Sequence, residues 1–290
     1  MGNRDITTGT AISLAGIVLL SFDTVLIRLA DTGAWEVAFW RGMLIAFTTT
    51  IVLFSREKVF FTEKIKREGY PLVVSGILWG LGGTFFVISV KMTVAANVLV
   101  MLSLSPLFAG VGGYLMMGEK MKKETILLFL VTAAGVWIIF SGGIGGGTLA
   151  GNLIGLLVPV TLGTNLAWMR KFRHISRTAA VITGGYAAAF IALFFASPLM
   201  ISVRSMVYLS LLGLVAIPFA QLLISSGTKY LPAPRVALIM MLETVLGPVW
   251  VWAFMGEVPP ARTFAGGFLI LAGVMTNAVS GIVSEKRRFG

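Results

Sequence analysis

The sequence predicts an all-α integral membrane protein of ten transmembrane helices, arranged as two inverted five-helix repeats. Composition is the first observation behind this. Of 290 residues, 57% are hydrophobic and only 12% charged, with a mean hydropathy of +0.93. So few charges do not cover the surface of a soluble protein of this length. Second, apolar stretches of about 20 residues, the length that crosses a bilayer as helix, recur along the whole chain. The gaps between them are too short for a separate soluble domain. Third, the chain repeats itself at an offset of 138 residues. Lys91 falls on Lys229, Ala95 on Ala233, Met117-Gly118-Glu119 on Met255-Gly256-Glu257, Thr125 on Thr263 and Ala134-Gly135-Val136 on Ala272-Gly273-Val274. Without a gap, windows 91–139 and 229–277 share twelve identities.

Taken in order, the predicted spans are roughly 10–30, 35–54, 71–90, 95–116 and 124–141, then 150–169, 179–200, 206–227, 235–254 and 263–283. The two repeats are 1–144 and 145–290. Ala11 onward reads as a retained first span, because no small-residue cleavage site follows an early apolar run. Span 3 carries Gly76, Gly80, Gly82 and Gly83, span 4 carries Gly110, Gly112 and Gly113, and span 7 opens with Gly184 and Gly185. Small residues let helices approach closely in lipid. Pro106, Pro159, Pro218 and Pro248 lie inside spans, where each removes a backbone hydrogen bond and permits a kink. The glycine-rich segment 141–147 lacks the Gly-Lys-Ser/Thr end of a phosphate loop and reads as the linker between the halves.

Charge sets the expected orientation. With the N-terminus in the cytoplasm, 18 of the 23 Lys and Arg residues fall on the inner side. That bias matches the positive-inside rule, and it puts both termini in the cytoplasm of a protein of the cell (inner) membrane. An odd number of spans per repeat then turns the second half upside down relative to the first. Inverted repeats of this kind carry transporter sites near the membrane midplane. The net charge of +11 is spread over short linkers rather than gathered in one patch, which argues against nucleic acid as a partner. No cysteine is present and His174 is the only histidine, so no metal site or cofactor is expected.

The five-plus-five duplication, the basic inner loops, Phe39-Trp40-Arg41-Gly42, Ser105-Pro106 and the paired Met-Gly-Glu and Ala-Gly-Val motifs resemble the drug/metabolite transporter superfamily, specifically its EamA-type ten-helix group. The resemblance covers nearly the whole chain. The sequence departs from it at Leu242-Glu243-Thr244, where members often carry Leu-Glu-Pro. It implies transport of a metabolite, commonly export of amino acids or related compounds.

Ionisable groups inside spans are costly and are functional candidates by default. Asp23 and Arg41 are expected at similar depth on antiparallel spans 1 and 2. They read either as a site for the amine and carboxylate of a zwitterion or as a structural ion pair. Glu243 lies inside span 9, with Gln221 of span 8 at comparable depth. Burial disfavours a charged carboxylate, so Glu243 is a proton-coupling candidate, with Asp23 the second. Trp79 and Trp168 are candidates to line a cavity, Ser105 to supply a polar contact. Glu119 and Glu257 read as carboxylates that complement the N-terminus of the following span. Lys91 and Lys229 read as residues snorkelling to opposite interfaces.

The predicted function is secondary active transport of small polar metabolites, not catalysis, with export of amino acids or related compounds by alternating access and with proton coupling as the candidate energy source. The rival is an importer, or a carrier of an amine, nucleoside or nucleotide conjugate. The partners are a small-molecule metabolite and the lipid bilayer; a monomer holding both repeats suffices. A membrane enzyme needs clustered acids or metal ligands that the chain lacks.

Overall fold

The computed structural model describes residues 3–118, 123–140, 148–227, 230–231, 239–240 and 242–273. The helices are α1 (Asn3–Ser21), α2 (Asp23–Leu29), α3 (Ala34–Glu57), α4 (Phe61–Glu68), α5 (Tyr70–Met92), α6 (Ala95–Leu102), α7 (Ser105–Met117), α8 (Lys123–Phe140), α9 (Leu149–Lys171), α10 (Arg177–Leu193) and α11 (Val203–Ser210). A π-helical segment (Leu211–Ala216), α12 (Ile217–Gly227), α13 (Glu243–Met255) and α14 (Ala261–Gly273) follow. Among the described residues all regular structure is helical apart from one isolated bridge residue, Thr93.

Among the described residues, six stretches are long and apolar enough to cross a membrane: Thr7–Leu29, Ala34–Glu57, Tyr70–Met92, Ala95–Met117, Leu149–Lys171 and Val203–Gly227. Leu130–Ile139, Arg177–Leu193 and Ala261–Gly273 are apolar but shorter. The start of predicted span 9, the end of span 10 and the glycine-rich linker 141–147 lie outside the described residues. Span 7 needs correction: its helix ends at Leu193 rather than near residue 200. Pro198 is the reason, since it has no N–H to donate and pushes Ser197 away from helical geometry.

Several spans are broken helices. Phe22 separates α1 from α2, and Ser103-Leu104 separates α6 from α7. Pro106 sits in the first turn of α7, so it starts a helix rather than kinking one. Helix α13 has the same 13-residue length as α7 and begins 138 residues later. Both stop at a left-handed glycine, Gly118 (φ 67°) and Gly256 (φ 69°), whose N–H groups bond Tyr114 and Trp252 carbonyls. A glycine accepts that conformation without a Cβ penalty. Helices α9, α10 and α11 start on hydroxyl caps, Thr148, Ser176 and Ser202.

Helices from the two halves interleave. Helix α10 packs against α3 and α5, α9 against α5 and α7, and α1 against α12. Small residues make the α3–α5–α10 contact possible. A Cβ on Gly42 would lie 2.6 Å from the Gly185 carbonyl oxygen, and one on Gly184 would lie 2.7 Å from the Gly76 oxygen. Adjacent glycines on α10 therefore serve two different neighbours. The core that results buries Ile17, Ile27, Ile45, Val87, Leu99, Val158 and Leu212.

Gly184→Val is expected to force α5 and α10 apart and to cost monodisperse protein in detergent, read by size exclusion and melting temperature. Gly256→Ala, where an added Cβ meets open space, is expected to lose about 1–2 kcal/mol from its left-handed backbone alone.

Candidate functional site

The break at Phe22 places Asp23 in the first turn of α2, where a carboxylate complements the helix N-terminus. Arg41 reaches it from α3. Arg41 Nη2 donates to Asp23 Oδ2 at 2.6 Å and Nε donates to Oδ1 at 3.2 Å. The bond is bidentate, and both residues are buried. Room for the guanidinium comes from Gly83 on α5, where a Cβ would stand 3.1 Å from Arg41 Nη1. The expected pairing of spans 1 and 2 is therefore present.

Glu243 begins α13 and is half-buried, within electrostatic range of both Asp23 and Arg41. Among the described residues it makes no hydrogen bond or ion pair. The cluster thus brings two acids and one base together, with the base spent on Asp23. Glu243 occupies the position in α13 that Ser105 occupies in α7.

The other candidates make their hydrogen bonds and ring contacts with different partners. Ser105 donates its hydroxyl to Leu102 O at 2.6 Å and so satisfies its own helix break. Trp79 is half-buried where α5 crosses α10, its ring against Gly184. Trp168 donates to Pro71 O at 2.9 Å and joins Tyr70 and Phe172 in a ring cluster at the start of α5 and the end of α9. Gln221 is exposed on α12.

Sequence reasoning missed a second polar system around the far end of α2. Arg28 Nη2 lies 3.1 Å from Glu257 Oε2 and donates to Thr93 O at 2.7 Å. Glu257 Oε1 accepts the Ala95 N–H at 2.8 Å. Glu257 does cap a helix, but it is α6 of the other half, not the following span. Lys91 donates to Ala30 O at 2.6 Å, ending α2 instead of simply snorkelling. Arg28, a lone charge near the end of an apolar span, was the available signal.

The family model for EamA-like transporters matches the chain twice, over residues 7–141 and 149–279. The chain belongs to the EamA-like transporter family. It is a multi-pass membrane protein of the drug/metabolite transporter superfamily, and the expected resemblance is borne out. It is similar to the pseudopaline exporter CntI of two Pseudomonas aeruginosa strains, UCBPP-PA14 and PAO1. Each is 25% identical over 250 residues, covering 83% of this chain and 85% of the relative. A solved structure titled only as a crystal structure of a protein aligns with a TM-score of 0.63 at 16% identity. It covers 96% of this chain and 97% of the other, and it supports the fold alone. Membership of this family makes the chain a transporter by kinship.

Breaking the buried pair is expected to be costly. Arg41→Met leaves Asp23 buried without its partner and is expected to lose about 3–5 kcal/mol. Removing the more exposed Glu57 partner of Lys64 is expected to cost about 1 kcal/mol or less. Chemical denaturation in detergent measures both.

Proposed function

We propose that this EamA-family transporter exports amino acids or related amine-bearing metabolites through a site built on Asp23, Arg41 and Glu243. The observation that carries the reading is the unpartnered Glu243 beside a self-neutralised Asp23–Arg41 pair. With Arg41 paired, the cluster holds one carboxyl more than it holds cations. That surplus suits a substrate amine. A substrate carboxylate competing for Arg41 would free Asp23, so a zwitterion is accommodated by exchange of partners.

The carrier is built as two inverted five-helix repeats, ten helices in all, with the site between the halves and both termini cytoplasmic. Support comes from the double family match, the matching α7 and α13 with their glycine stops, and the bias of Lys and Arg. Alternating access then follows from exchange of roles between repeats. Glu243 serves as the proton-coupling group, because a carboxyl without a fixed partner can take a proton when substrate leaves. Asp23, the second candidate, has both carboxylate oxygens on Arg41. Trp79, Ser105, Trp168 and Gln221 enter the site only if the helices shift.

The test is flux in proteoliposomes with an imposed proton gradient, over a panel of amino acids, amines, nucleosides and organic acids. Transport of an amino acid or amine is expected, with at least a ten-fold loss for Glu243→Gln at retained fold. Transport confined to nucleotide conjugates, or full flux in Glu243→Gln, overturns the assignment.

A further inference from the structure

Helices α2 and α13 run parallel, since the contacts between them keep the same order along both segments. Phe22 stacks on Trp250 with ring centroids 4.9 Å apart and planes 15° from parallel. Trp250 Nε1 also donates to Ser21 Oγ at 2.9 Å. The next layer is apolar: Val25, Ala95 and Val251 are all buried and pack with Leu29. The last layer is the Arg28–Glu257 ion pair at 3.1 Å, in which each side chain is about a quarter exposed or less. Every layer joins a residue before 144 to one after it. The layers start level with Asp23, at the Phe22 break before α2, and climb to the end of the bundle that the charge bias makes external.

We propose that Arg28 and Glu257 form the latch of an outer gate above the Asp23–Arg41–Glu243 site. The Val25–Ala95–Val251 layer and the Phe22–Trp250 stack close the path beneath it. The latch is tied to both halves at once. Arg28 holds Thr93 O, and Glu257 holds the first N–H of α6, so release of one carboxylate frees α2, α6 and α13 together. The structure has this gate shut. Opening requires the ion pair to separate in a region where its two partners are partly hydrated, which keeps the latch weak enough to be reversible. The inference rests on the alternating-access reading above, but its test does not require flux.

The chain has no cysteine, so one introduced thiol reports without background. Val251→Cys places it between the ring stack and the ion pair. Ala180→Cys, buried on α10 in a separate cluster with Leu72 and Ile175, is the reference outside the latch. Both are labelled in purified protein in detergent with a hydrophilic maleimide, which makes orientation in a membrane irrelevant. Glu257→Gln removes the charge but leaves an oxygen for the Ala95 N–H; Arg28→Gln removes the other charge. Each is expected to speed labelling at position 251 by about five-fold, the population change that loss of a weak ion pair produces, with position 180 unchanged. An unchanged rate at 251 in both variants overturns the latch. Equal acceleration at 251 and 180 overturns it as well, since the pair then only stabilises the fold. If Val251→Cys fails to fold, Val25→Cys on the facing helix supplies the same readout.

Discussion

Lipid offers no hydrogen bonds, so each interrupted helix must find partners inside the protein. That constraint organises this structure. The breaks at Phe22 and at Ser103-Leu104 free backbone groups that the opposite half or a local hydroxyl then satisfies. Ser21 donates to Val18 O and accepts from Trp250; Ser103 donates to Val100 O. Three carboxylates do the same for helix and loop ends across the halves. Glu257 takes the Ala95 N–H, Glu68 takes the Ser176 N–H and Glu36 takes the Ser197 N–H. The halves are held together by the requirements of their own backbones as much as by apolar contact.

The same breaks position the charges. Asp23 and Glu243 each stand in the first turn of a helix that starts inside a span. A helix N-terminus carries partial positive charge, which makes it a tolerable place for a carboxylate far from water. Arg41 then completes a pair with Asp23 and not with Glu243, and the difference between the two acids is geometric. Asp23 has a bidentate partner and Glu243 has a neighbour at a distance.

Much of this was legible beforehand. Apolar length and charge bias identified a membrane protein, and the 138-residue offset anticipated the shared bounds of α7 and α13. Equal depth on adjacent spans was enough to pair Asp23 with Arg41. What the sequence hid were the interruptions, because Ser21-Phe22 and Ser103-Leu104 contain no glycine or proline at the break itself. The roles of Trp168 and Ser105 were hidden for a related reason. Each spends its polar atom on a carbonyl, Pro71 for one and Leu102 for the other, and that depends on where a helix happens to end. Pro198 was visible but its effect on span 7 was overlooked, since the apolar run continues past it.

The π-helical segment Leu211–Ala216 sets the rotational phase of everything after it. It precedes Pro218, which has no N–H for the carbonyl four residues back, and the wider turn accommodates that gap. Beyond it, Ala220, Ile224 and Gly227 form the stripe that α12 presents to α1, where Gly16 and Ser13 receive them. One residue of α-helix turns a side chain by about 100°. A π turn holds one residue more than an α turn, so loss of one residue within 211–216 closes the segment to α-helix with the stripe still facing α1, whereas gain of a residue would swing the stripe away. The segment carries a spare residue that the helix can shed without losing its aim.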